Sequence, residues 1–254
     1  MLKTDYSLGF GSGGGAAVST TGAVFFDGTT DLSRGADLTG VPSSKYVTWS
    51  YWYKIHAAGL PADFFLINQS ENVTLRAASH WQFECKGDDD DIDSKFNNPG
   101  GASWPDVVWH HVCVSLDTSA ATSCHYFVDD ADEVNHEGGN YSGGNIPLSS
   151  TNHWIGSDRN GSRSMLNFSI YELWVAWGQY LDVSVVGNRR KFIDASGAPV
   201  GLGSDGSDPT GTSPTIYMTG TPSEFVTNLG TGGNYSVQNG ALIDVGVPST
   251  AGTA

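Results

Sequence analysis

A chain of 254 residues with a formal net charge of −15 has room for one large domain, or for one domain with appendages. So acidic a surface repels phosphate backbones and anionic headgroups, which argues against nucleic acid and against acidic membranes as partners. Glycine at 33 positions and only 15% charged residues suit a turn-rich all-β protein and leave little for long helices.

No run of the sequence reaches the roughly 18 apolar residues of a membrane span, so no membrane insertion is expected. Met1 to Phe10 carries two charges, Lys3 and Asp5, and no apolar stretch of signal-peptide length. The expectation is a protein made in a reducing cytoplasm without a secretion route of its own. Residues 1–21, with Gly11-Ser12-Gly13-Gly14-Gly15, read as a flexible N-terminal arm.

A sandwich domain is expected over 22–181. Ala23 to Phe26 begins its first strand, and Leu32-Ser33-Arg34 is a short second one. Lys45 to Ile55 alternates, with Val47, Trp49, Tyr51 and Tyr53 on one side and Tyr46, Thr48, Ser50, Trp52 and Lys54 on the other. Apolar groups on both sides predict a central strand. Phe64 to Asn68, Val73 to Ala77 and His80 to Cys85 follow as short strands, and 87–101 is a long loop.

The stretch from Val107 to Val128 predicts an antiparallel hairpin, with Asp117-Thr118-Ser119-Ala120-Ala121 as its connector. Val108, Val112, Val114 and Leu116 share one face; Trp109, His111, Cys113 and Ser115 share the other. Cys113 and Cys124 stand at mirror-related positions about the turn, which would let them face each other. Reduced thiols are nonetheless the expectation, because a cross-strand disulfide demands unusual geometry.

Ile146 to Leu148 and His153 to Ile155 read as short strands. Met165 to Trp177 is a long one whose alternation slips near Ile170 to Leu173, as a bulge would cause. Asp182 to Ile193 predicts a helix, capped by Asp182 and with Arg189, Arg190 and Lys191 near its C-terminal end. The whole of 182–254 is expected to be this helix plus a Gly/Pro-rich extension. Thr215 to Met218 and Tyr235 to Val237 would be edge strands joined by a Gly-rich turn, with Leu242 to Val247 extending them.

Chemistry is sparse. The sequence has no Glu-x-Asp-x-x-Glu pattern, and Asp130, Asp132, Glu133 and Glu137 read as solvated loop acids, so glycoside hydrolysis is not expected. His110 and His111 are adjacent and point to opposite faces of a strand, which prevents joint metal ligation. No G-x-S-x-G, HExxH or phosphate loop occurs. Asp89, Asp91 and Asp93 alternate in an acidic run that offers oxygen ligands to calcium, against a competing reading as a solvated loop. Trp81, Trp104 and Trp154, with Asp158 and Asn160 in a nearby polar loop, are candidates for stacking on and hydrogen bonding to sugar rings.

The Trp109-His110-His111-Val112 start, the strand–turn–strand after it and the Tyr126-Phe127-Val128-Asp129 end resemble the laminin-G / concanavalin-A-like sandwich. Phe25-Phe26-Asp27-Gly28, Thr48 to Tyr53, His153-Trp154-Ile155-Gly156 and Phe168 to Leu173 agree in order and spacing, although the last lacks the family's glycine. The resemblance covers roughly 23–177 and implies an all-β jelly-roll sandwich with irregular N- and C-terminal arms. Phe26-Asp27-Gly28, Leu32-Ser33-Arg34-Gly35, Asp37-Leu38-Thr39-Gly40 and Asn188 to Asp194 with Gly197, Pro199-Val200 and Leu202-Gly203 further resemble structural proteins of tailed bacteriophages. That implies a non-enzymatic virion protein of the tail or head surface. Its partners would be other virion subunits, as a homo-oligomer, and host surface glycans. The alternative implied is a free carbohydrate-binding lectin, with calcium or stacked Trp at its rim.

Overall fold

A computed structural model describes residues 22–38, 40–41, 43–56, 64–69, 73–77, 81–85, 95–96, 108–120, 123–132, 136–137, 144–146, 153–157 and 167–249. The N-terminal arm, Trp104, the acidic run at 88–93 and the polar loop with Asp158 and Asn160 lie outside these residues. In chain order the strands are β1 (Ala23–Asp27), β2 (Asp31–Ser33), β3 (Tyr46–Ile55), β4 (Phe64–Gln69), β5 (Val73–Ala77), β6 (Trp81–Cys85), β7 (Lys95–Phe96), β8 (His110–Asp117), β9 (His125–Val128), β10 (Ala131–Asp132), β11 (His136–Glu137), β12 (His153–Ile155) and β13 (Asn167–Trp177). The helical turn α1 (Val186–Arg189), β14 (Ile216–Met218), the turn α2 (Pro222–Phe225), β15 (Ser236–Asn239) and β16 (Ile243–Val245) complete the chain.

Two antiparallel sheets carry the fold. The larger runs β10-β9-β8-β3-β13-β1-β16, with β14 also on β13; the second runs β15-β2-β12-β4-β5-β6, and β11 pairs with β7. Strand β3 is central, as its two apolar sides require. Val47, Trp49, Tyr51 and Tyr53 enter the core between the sheets, where they meet Val112, Val114 and Leu116 of β8 and Leu32 and Ile155 of the second sheet. The rings of Phe26 and Phe168 stack there, with centroids 4.7 Å apart.

Strand β13 explains the slip in its own alternation. Phe168 and Ile170 point into the core, and so do Leu173 and Val175; the register against β3 shifts between Tyr171 and Trp174. One extra residue, Glu172, restores the apolar set to the inner face, which a simple continuation would have turned outward. Its φ of 51° is left-handed, an uncommon conformation for a residue with a side chain. The bulge falls where two partners divide one edge of β13: β1 pairs with Asn167 to Ile170 and β14 with Leu173 to Val175. These short strands meet where Gly22 lies against Gly220. A Cβ on Gly22 would sit 2.2 Å from the Gly220 carbonyl carbon, so nothing larger fits that junction.

Three expectations need correction. The helix expected over 182–193 is one turn, Val186–Arg189, and no side chain caps it. Asp182 Oδ1 instead accepts from the Ser184 backbone N–H at 2.9 Å and hydroxyl at 2.6 Å, a local turn that competes with helix. Strands β14 and β15 do not form a hairpin: β14 joins β13 in the larger sheet, β15 pairs with β2 in the second, and β16 pairs with β1. Cys113 is in register with Phe127 rather than with Cys124. The two thiols lie in different apolar clusters on opposite sides of the sheet, so they do not face each other, and the expectation that they are not joined in a disulfide holds.

Candidate functional site

Among the described residues, the outer face of the larger sheet buries a set of polar side chains that includes Thr48, Ser50, His111 and Ser115. Ser50 Oγ lies 2.8 Å from His111 Nε2, the contact that a serine nucleophile and its base would make. Both residues are buried, and burial lowers the His111 pKa to about 3, so the ring is neutral. The segment after β13 lies over this face: Val183, Phe192 and Leu202 pack on Cys113, Phe127 and Trp174. Buried beneath that cover, Ser50 and His111 satisfy each other's polar atoms.

Arg189 fastens the cover. Its Nε donates to Asp130 Oδ1 at 2.6 Å and its Nη1 to the Val183 carbonyl at 2.7 Å. The guanidinium stands 3.8 Å above the Phe127 ring, a cation–π contact. Arg190 also donates to Asp130, whose carboxyl is held below the usual range by these two guanidiniums against the opposing effect of burial. Asp130 is therefore a paired anchor rather than a solvated loop acid. Asp129 and Asp130 have φ of 50° and 67° and form the two-residue turn between β9 and β10, a position that favours Asn, Asp or Gly. Asp129 Oδ2 accepts from His110 Nδ1 at 2.6 Å and Oδ1 from the His111 backbone N–H at 2.8 Å. His110 and His111 thus serve opposite faces, as adjacency in a strand dictates.

Glu172, at the bulge, is buried and hydrogen-bonded to Tyr171, and burial pushes its pKa up to about 8 despite that bond. Sequence reasoning marked the bulge but not this residue. Its signal was the acid interrupting an otherwise apolar strand. With its pKa raised by burial, it is a buried neutral acid at pH 7.

The second sheet differs. His153 and Ile155 are fully buried, whereas Trp154 between them is half-buried on the outer face. Trp154 is in register with Ser33 of β2 and Asn68 of β4. The row continues through Thr74 of β5 to Glu84 of β6. An aromatic residue is thereby set in line with hydroxyl, amide and carboxyl positions across the strands. Trp81 opens β6 in register with Ala77, a position of the opposite alternation from that row. Of the residues singled out for sugar contact, the described structure brings the backbones of Trp154 and Trp81 to one sheet, on β12 and β6. Among the described residues no group of three or more His, Cys, Asp or Glu side chains converges as metal ligands, and Asp89, Asp91 and Asp93 fall outside them.

A sequence model of the concanavalin A-like lectin/glucanases superfamily matches residues 16–182, well over half of the chain. The chain belongs to that superfamily. Among curated proteins no sequence matches it. A provisionally named carbohydrate-binding protein from Bacteroides ovatus has a similar structure, at a TM-score of 0.61 and 11% identity. That similarity covers 92% of this chain and 62% of the other, so this chain spans less than two thirds of its length. A heptameric pentraxin from Limulus polyphemus is similar at a TM-score of 0.53 and 14% identity, over 91% of this chain and 98% of the pentraxin. At such identities the likeness is one of fold.

Proposed function

We propose that this protein is a non-catalytic carbohydrate-binding sandwich that takes neutral glycans on the outer face of its second sheet. The observation that carries the reading is the half-buried Trp154, whose backbone stands in register with Ser33, Asn68, Thr74 and Glu84 across the second sheet. An aromatic plane suits the C–H face of a sugar ring, and a few polar groups fix its orientation. The net charge of −15 disfavours anionic glycans. The carbohydrate-binding name of the Bacteroides ovatus protein supports the same class of ligand. Retention of the full chain on immobilised neutral glycans, lost in Trp154→Ala, tests it; retention that is unchanged in that variant refutes it. Repeating the measurement with calcium and with a chelator tests a contribution from Asp89, Asp91 and Asp93.

The setting we propose is the surface of a tailed-phage virion, where the module would contact host glycans beside other copies of itself. The support is the resemblance carried by Phe26 to Gly40 and Asn188 to Gly203. Light scattering on the isolated chain gives the test. A defined oligomer supports the particle setting, and a monomer retained on the glycan column leaves a free lectin.

A further inference from the structure

We propose that Asn239-Gly240 is a site of spontaneous deamidation, and that conversion of Asn239 to aspartate or isoaspartate releases β15 from the second sheet. Two structural demands create the dipeptide. Gly240 has a φ of +64°, and a Cβ there would lie 2.3 Å from Thr30 Oγ1 and 2.8 Å from Thr30 Cα, so the turn after β15 accepts only glycine. Asn239 is in register with Asp31, and its Nδ2 lies 3.1 Å from each oxygen of that carboxylate. Asp31 is fully buried, and a buried carboxylate requires a donor.

Together these demands place an asparagine before a residue with no side chain to hinder its backbone nitrogen. In the reaction the Gly240 nitrogen attacks the Asn239 side-chain carbonyl carbon, the Cγ–Nδ2 bond breaks, and the amide leaves as ammonia. Water then opens the succinimide at either carbonyl to give aspartate or isoaspartate; no oxidant or reductant is needed. The whole of β15 is exposed, so solvent reaches the site.

The consequence is local and directional. Asp31 loses its donor and faces a second carboxylate, a like-charge pair in a partly buried place. Isoaspartate also lengthens the main chain by one carbon, which spoils the register. Among the described residues strand β15 is the edge of its sheet and has β2 as its one strand neighbour, so the short ladder from Ser236 to Asn239, irregular between Val237 and Asn239, is what holds it. The Ser236 hydroxyl bond to the Ser33 carbonyl, at 3.2 Å, is too weak to do so alone.

The test is to age the full chain in warm, mildly alkaline buffer and follow the peptide containing Asn239 by mass spectrometry with hydrogen exchange. A gain of one dalton at residue 239, with loss of exchange protection over 236–239 in the same molecules, is expected. Asn239→Asp should reproduce that loss without ageing. Combining it with Asp31→Asn, which exchanges donor and acceptor, should restore protection. An intact Asn239 under conditions that deamidate the urea-unfolded chain overturns the proposal. So does wild-type protection in Asn239→Asp, or an exchanged pair no better protected than that single variant.

Discussion

Replacing Glu172 by glutamine should change how stability depends on pH, in a direction fixed by where the carboxyl sits. Burial raises its pKa from 4.5 to about 8. Between those values the unfolded chain releases a proton that the folded chain keeps. The folded state binds more protons there, so stability falls as pH rises, by about 1.4 kcal/mol per unit and about 5 kcal/mol over the window. His111 acts in the opposite sense. Burial lowers its pKa from 6.5 to about 3, so between those values the unfolded chain binds the extra proton and stability rises with pH at a similar slope. The two slopes offset each other between pH 4.5 and 6.5. Above that, Glu172 alone leaves a decline of about 2 kcal/mol up to its own pKa.

Glu172→Gln keeps the shape and a hydrogen-bonding partner for Tyr171 while removing the proton. Urea unfolding followed by Trp fluorescence, at steps from about pH 4 to about pH 9, reads the result. The difference in stability, variant minus wild type, should grow with pH by about 5 kcal/mol between 4.5 and 8 and be flat outside those limits. Asp27, Asp130 and Asp194, whose carboxyls are held low by hydrogen bonds or guanidiniums, titrate below this window and cancel in the difference. Parallel curves for the two proteins would refute the reasoning.

Arg189→Ala leaves Asp130 without its Nε partner and the Val183 and Ser184 carbonyls without their guanidinium donor, and should cost about 3 kcal/mol in urea unfolding; Arg189→Lys should recover little, because one ammonium cannot reproduce the planar fork. Phe225→Ala removes a fully buried ring and should cost about 3 to 5 kcal/mol in the same assay. Trp154→Ala, at a half-buried position, should weaken neutral-glycan binding about tenfold, or about 1.4 kcal/mol, by titration calorimetry. Cys113 and Cys124 are buried, and burial raises the Cys113 thiol pKa; in thiol-labelling both should stay unmodified until the chain unfolds.

The central architecture was legible because alternation is a local signal. Val47, Trp49, Tyr51 and Tyr53 declared an inner face, and Val112, Val114 and Leu116 declared the facing one. The slip at Ile170 to Leu173 announced the bulge. What was not legible is set by distant partners. Strand β16 pairs with β1 and β15 with β2 across some two hundred residues of chain, and no window of sequence carries that distance. The one-turn α1 was over-read because Asp182 and the basic run look like helix ends, although Val183, Val185, Val186 and Gly187 between them are poor helix formers. The α2 turn carries a local signature, Thr221-Pro222-Ser223-Glu224, with Thr221 and Glu224 forming a capping box. Of the candidate sugar residues, Trp154 could be found from its place between His153 and Ile155. Its row of Ser33, Asn68, Thr74 and Glu84 could not, since four strands contribute one residue each.

The pairing of far ends bears on the open face as well. Strand β1 crosses through the Asp27 to Thr30 turn into β2, and β15 crosses back through Gly240 into β16, so the last strands close the same edge of both sheets. Thr30 Oγ1 sits between the two crossings, accepting from the Ala241 backbone N–H at 3.0 Å and bonded to Asp27 Oδ1 at 2.9 Å. Such long-range contacts form late, because loop closure must precede them. Until they form, β1 and β2 present bare edges able to pair with other chains. The row through Trp154 includes Ser33 of β2, which pairs with β12 on one side and meets Ser236 of β15 in register on the other. Docking of β16 on β1 and of β15 on β2 therefore closes both sheets at one edge, so the irregular C-terminal segment completes the regular part of the fold.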